Sequence, residues 1–179
     1  MDISLEILSV GELENLRLDL IKKGFRQTAN EKVICRFLYE DVTVDVMSTQ
    51  AIGWAPSDKW YGPGFKYLQE IKIENVSVRI LPLAYFLASK FDAYYDRGGK
   101  DPRTSHDFED IIYILDNRID LVEIILNSPE DVLNFLKTEF QNILADSTSQ
   151  EAILGNLYYS TRTERFNFLM SKLKQIVQG

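Results

Sequence analysis

Lys90 is the charged residue whose setting in the sequence most invites chemistry. It follows Leu83, Phe86 and Leu87 and precedes Tyr94 at spacings of three and four, which on a helix gather these side chains on one side. An ammonium on so apolar a stripe needs a carboxylate or an anionic ligand, because desolvating it unpaired is expensive. Downstream, Asp107, Glu109 and Asp110 form an acidic cluster that can supply the partner.

A second group lies on a strand pattern. In the run from Asp41 to Val46, Val42, Val44 and Val46 point one way and Asp41, Thr43 and Asp45 the other. Acidic residues in mid-strand are disfavoured. Asp45 is therefore either part of a solvent-facing polar stripe or, beside a cleft, a ligand for a hard divalent cation such as Mg2+. Asp2 adds to the second reading, since the first strand of a β-α-β-β unit can neighbour the strand of Asp45, and two carboxylates could then converge on one ion.

Other arrangements fail on spacing. His106 is the sole histidine, which excludes a two-histidine metal site, and no serine or cysteine stands at a strong Ser-His or Cys-His spacing from it. The run Arg97-Gly98-Gly99-Lys100 lacks the phosphate-loop spacing and follows a helix, so Gly98 reads as a helix cap. Thr104 with Asp107 fits a capping box, which accounts for an acid there as well as catalysis does. Cys35 is the one cysteine and sits among strand-like residues, as a buried inert thiol would.

The elements that must position these groups read as a sheet followed by helices. Residues 2–7 alternate as a strand, and Ser9 opens a helix with Leu13, Leu16, Leu20 and Ile21 inward and Gly24 as its left-handed cap. Strands follow at 33–39 and 42–47, joined by a tight turn at Glu40-Asp41. The stretch 48–64, rich in glycine and proline and carrying Trp54, Trp60 and Tyr61, reads as a loop, either a binding loop or an aromatic flap packed on the core. Strands at 67–73 and 76–80 turn at Glu74-Asn75. Helices are then predicted at 82–97, 105–117, 120–127, 129–145, 149–159 and 161–177, with Ser128, Pro129, Glu130 and Asp131 forming a helix start. The fold class is α+β: a sheet region over 1–81 and a helical region over 82–179 packed on it, with no independent second domain.

Composition sets the outer limits. A hydrophobic share of 45% and a charged share of 26% are those of an ordinary globular protein. No apolar run is long enough for a membrane span and the N-terminus has no secretory pattern, which predicts a cytoplasmic protein without membrane attachment. A net charge of −7 opposes broad, nonspecific binding to nucleic acid but not a local basic pocket.

Several segments in order carry a likeness: Asp2-Ile3-Ser4-Leu5, Lys23-Gly24-Phe25-Arg26, Ile34-Cys35-Arg36-Phe37, Thr43-Val44-Asp45-Val46-Met47, Tyr85-Phe86-Leu87-Ala88-Ser89-Lys90, Arg97-Gly98-Gly99-Lys100-Asp101 and Ser105-His106-Asp107-Phe108-Glu109-Asp110-Ile111. Over roughly residues 1–117 the chain resembles nucleotidyltransferase-fold proteins of the DNA polymerase β superfamily, near the abortive-infection type II toxins and their uncharacterised bacterial relatives. The resemblance implies a nucleotidyltransferase-like mixed sheet with flanking helices. It implies transfer of a nucleotidyl group from a nucleoside triphosphate to an acceptor hydroxyl with Mg2+ or Mn2+, and it admits an antitoxin or other protein partner. Asp2 looks like the second Asp of the family's Asp-x-Asp pair and Asp45 like its third carboxylate, both on metal. Asp45, Lys90 and Asp107 would be the catalytic set, with Lys90 and Arg97 on the nucleotide and Asp107 orienting one of those two cations.

The family's glycine turn and first aspartate have no counterpart from Met1 onward. Two explanations are open: an internally assigned start, or a shortened member that keeps the fold as a protein-binding module. Under either, this chain by itself is expected to transfer little or nothing, because such chemistry rests on positioning and on neutralising phosphate charge with metal.

Overall fold

The computed structural model describes residues 2–7, 9–27, 35–53, 58–97 and 101–179, with Asp2 and Ile3 described by their backbone alone. The chain divides into two compact units, Met1–Leu81 and Pro82–Gly179. The class is α+β: a small mixed sheet and a separate hairpin in the first unit, helices throughout the second.

In the first unit β1 (Asp2–Leu5) leads into α1 (Val10–Lys22), then β2 (Arg26–Gln27), β3 (Arg36–Tyr39) and β4 (Val42–Ser48). Ser9 caps α1 by accepting a hydrogen bond from the Glu12 amide at 3.2 Å. The helix ends at Gly24, whose φ of +94° lets its amide reach the Ile21 carbonyl and the Phe25 amide reach that of Leu20, both at 3.0 Å. The sheet order is β1-β4-β3-β2, with β1 parallel to β4 and the other pairs antiparallel. Phe37, Val44 and Val46 form its buried face, packed against Leu5, Leu16, Leu20 and Phe25. The valine face of β4 is thus the inner one, although Val42, next to the turn, is exposed. Cys35 is buried beside β3.

Four sequence readings need correction here. Ile21 is exposed, not inward: one residue beyond Leu20, it is turned about 100° round the helix axis, away from the line of Leu13, Leu16 and Leu20. The two-residue β2 was missed because so short a pairing leaves no period in the sequence. Within the expected loop, Tyr61–Gly64 forms a single helical turn (α2), started where the Asp58 carboxylate accepts from the Trp60 amide at 2.7 Å. Phe65–Tyr67 continues as a 3-10 turn, so β5 runs from Gln69 to Ile73 and begins two residues later than predicted. Trp60 is buried, as a flap packed on the core requires. Trp54, and the expected strand start at Val33, lie outside the described residues. Among the described residues β5 pairs only with β6 (Val76–Ile80), through the expected turn at Glu74, whose φ is +52°.

The second unit comprises α3 (Leu83–Asp96), α4 (His106–Asn117), α5 (Leu121–Leu126), α6 (Glu130–Ala145), α7 (Ser147–Asn156) and α8 (Arg162–Gln178). Phe91 of α3, Leu115 of α4, Ile125 of α5, Phe140 of α6, Ile153 of α7 and Leu173 of α8 are all buried in its core. Asp146 caps α7 by accepting from the Ser149 amide at 2.8 Å, which starts that helix two residues before the predicted position. Ser128 does not open α6. Its hydroxyl donates back to the Ile124 carbonyl at 2.7 Å and so belongs to the end of α5.

Candidate functional site

Asp45 lies on the half-exposed face of β4, opposite the valines. Both neighbouring strands bring a residue to its level. The β1–β4 register sets Asp2 across from Asp45, and the β3–β4 register sets Arg36 across from it on the other side. The guanidinium grips the carboxylate with both arms: Arg36 Nε donates to Asp45 Oδ1 at 2.7 Å and Nη2 to Oδ2 at 2.6 Å. That hydrogen-bonded fork holds the Asp45 carboxyl below its ordinary pKa, against the opposing effect of burial. The pairing thus favours the ionised form of Asp45.

Among the described residues no group of three or more His, Cys, Asp or Glu side chains is placed to hold a metal ion. Of the two carboxylates expected on metal, only Asp45 has a described side chain, and both of its oxygens accept from Arg36. A carboxylate offers about four lone-pair sites, of which Arg36 takes two.

In the second unit, Lys90 comes from α3, Arg97 from its C-cap, and Asp107 and Asp110 from α4. Lys90 lies on the flank of the apolar stripe, whose buried line is Ala84, Leu87, Ala88, Phe91 and Tyr94. Its ammonium donates to Asp110 Oδ2 at 2.7 Å and stands 5.6 Å from the centre of the Phe86 ring. Asp107 turns instead to Arg97, whose Nη1 donates to both of its oxygens at 2.8 Å. Of the two cations that Asp107 was expected to orient, Arg97 is the one it holds. The cap of α4 is Ser105, which accepts from the Phe108 amide at 3.3 Å, so the Thr104 capping box does not form. His106 projects into solvent beside Glu109, at 3.4 Å. The reading of Gly98 as a cap lies outside the described residues; α3 itself closes with the Arg97 amide on the Ala93 carbonyl at 3.1 Å.

The residue that sequence reasoning passed over is Arg36. A signal for it existed: with a two-residue turn at Glu40-Asp41, Tyr39 faces Val42, and counting back three places brings Arg36 opposite Asp45. Elsewhere in the second unit, Arg165 faces Asp116 with both arms and Lys172 is buried under the end of α4, ion and hydrogen-bond pairs that fasten helix to helix. No helix among the described residues is long and apolar enough to cross a membrane. No protein-family model, no curated protein and no solved structure matches the chain.

Proposed function

We propose that the protein is nucleotidyltransferase-like, binding a nucleoside triphosphate with Mg2+ or Mn2+, and that transfer of a nucleotidyl group to an acceptor belongs to a full-length gene product that completes the site. The observation that carries this reading is the parallel pairing of β1 with β4, which brings Asp2 level with Asp45 across forty-odd residues of chain. Two acidic positions side by side on neighbouring strands are what a magnesium ion shared with phosphate needs. In this reading Asp2 and Asp45 hold the ion, which neutralises phosphate charge when bound. Within the second unit the resemblance gives Lys90 and Arg97 a phosphate-binding role, and Asp107 keeps the Arg97 guanidinium aimed. Lys90 suits the role because its partner Asp110 is largely exposed, so the ammonium can exchange that carboxylate for a ligand anion at little cost.

A second reading, a protein-binding module on the same fold with no transfer reaction and an antitoxin or other protein as its partner, is favoured by one feature. Ile73, Val76, Val78 and Ile80 leave one face of the β5–β6 hairpin apolar and exposed.

Calorimetric titration with each of the four nucleoside triphosphates in Mg2+ tests the first reading. Binding is expected, weakened at least tenfold by Lys90→Ala and by Asp45→Asn, a change of about 1.4 kcal/mol. A protein that takes up no triphosphate at millimolar concentration, or binds it equally well with both substitutions, removes that reading and leaves the module.

A further inference from the structure

We propose that two copies of this chain pair edge to edge along β5, about a two-fold axis through Ile71, and so join their hairpins into one four-stranded antiparallel sheet. The inference is independent of the triphosphate reading and holds whether or not the chain binds a nucleotide.

The hairpin has an edge to fill. β5 and β6 form a sheet of two strands, and among the described residues no third strand joins it. Two strands alone are marginal in water. Their register sets Gln69, Ile71, Ile73, Val76, Val78 and Ile80 on one face and Glu70, Lys72, Ser77 and Arg79 on the other. Of the apolar side chains only Ile71 is half-buried, while Ile73 and Val76 are 57% and 65% exposed. β5 has neither a proline nor a bulge to turn a neighbour away, since each of its residues meets a single partner on β6.

Charge names the occupant. A lysine on an edge strand ordinarily discourages pairing, so Lys72 must be met by an acid. β5 supplies one itself. When it is laid antiparallel against a second β5 with Ile71 opposite Ile71, Glu70 of each copy faces Lys72 of the other on the polar face. Arg79 already faces Glu70 across the hairpin, so the row across the new sheet runs Arg79, Glu70, Lys72, Ser77, with the signs alternating. On the apolar face Ile71 meets Ile71, and each Ile73 is covered by Gln69 of the other copy.

Other registers are refused. A slip of two residues one way opposes Glu70 to Glu70, and the other way Lys72 to Lys72. A slip of one sets the polar face of one hairpin against the apolar face of the other. Pairing along β6 about Val78 would bring Ser77 opposite Arg79 and make no ion pair. The β5 contact is isologous and uses the one free edge of β5 in each copy, so it closes at two.

Sedimentation equilibrium of the full chain at low salt should show a monomer–dimer equilibrium below about 100 µM. Lys72→Glu should weaken the dimer about tenfold or more, because both cross-strand pairs become like-charged, and Glu70→Lys should do the same. An equimolar mixture of these two variants should associate again, since each supplies the charge that the other lacks. Val76→Lys, on the apolar face but away from the joining edge, should dimerise as the wild type does. Circular dichroism checks that each variant is folded. If Glu70→Lys is not, because it crowds Arg79, Glu70→Gln takes its place and should bind Lys72→Glu more tightly than Lys72→Glu binds itself.

A wild type that stays monomeric at about 100 µM overturns the proposal and leaves the hairpin to a different partner. So does a mixture of the charge variants that associates no better than either alone. A dimer lost in Val76→Lys and kept in Lys72→Glu would mean that the copies pack face to face, which also overturns pairing along β5.

Discussion

Arg97 joins an exposed guanidinium at the end of α3 to a carboxylate buried in the first turn of α4, with Nη1 at 2.8 Å from each oxygen of Asp107. The two ends of this pair are not equivalent. The Arg97 side chain is 73% exposed and that of Asp107 only 7%. Removing the carboxylate lets the guanidinium return to water, whereas removing the guanidinium leaves a desolvated anion supported by the helix N-terminus alone.

Arg97→Ala should therefore destabilise the protein more than Asp107→Asn does. We expect about 1–2 kcal/mol for the first, a value reduced from that of a fully buried pair because Arg97 is mostly solvated, and about half of it for the second. Urea denaturation of both variants measures the difference. Equal losses, or the reverse order, would show that the buried carboxylate has support other than Arg97.

Lys172 gives a prediction with a pH dependence. Buried in α8, it donates to the Leu115 carbonyl and, at 3.1 Å, to that of Arg118, closing the C-terminal end of α4. Burial lowers its pKa below 10.5. Between the lowered folded value and 10.5 the unfolded chain binds the proton more than the folded one, so this group's contribution to stability rises with pH through that window. Lys172→Met should cost about 2–3 kcal/mol at neutral pH, from carbonyls left without a donor. Its deficit against the wild type should widen as pH climbs toward 10.5, read from denaturation curves of the two proteins side by side.

Much of this architecture could be read along the chain, and the rest could not for identifiable reasons. The strand of Asp45 was legible because strict alternation and a two-residue turn fix both face and register, and the same turn implied Arg36. The partner of Lys90 was not. Asp107 and Asp110 lie three apart on one side of α4, and which of them meets Lys90 and which meets Arg97 depends on how α4 lies along α3, a tertiary quantity with no local code. Tyr61–Gly64 was hidden by composition, since glycine and proline argue for a loop while the Asp58 hydrogen bond starts a helical turn.

Asp45 and Arg36 supply an acid-side counterpart. The carboxyl's pKa is lowered by the Arg36 fork, so its contribution is fully present above 3.8 and is lost as pH falls through the folded value. Wild type should be more stable than Arg36→Gln at neutral pH by no more than about 1 kcal/mol, because both side chains are partly solvated. The margin should vanish on acidification below 3.8. A margin that persists in acid would mean that Arg36 stabilises the sheet through the packing of its stem instead of its charge.

Lys90 separates site from scaffold. Its anionic partner, Asp110, has a side chain 54% exposed, and the ammonium lies over the Phe86 ring, so Lys90→Met keeps the packing and gives up a pair of small worth. Stability should change by less than about 1 kcal/mol, in either direction, because the lost pair is offset by relief from holding an ammonium at the edge of an apolar stripe. Triphosphate affinity should nonetheless fall by at least tenfold, or about 1.4 kcal/mol, since methionine offers phosphate no donor. Paired calorimetric and denaturation measurements on this one variant check both expectations. If Lys90→Met loses stability and binds triphosphate as well as wild type does, Lys90 serves as a brace between α3 and α4 and the phosphate role passes to Arg97.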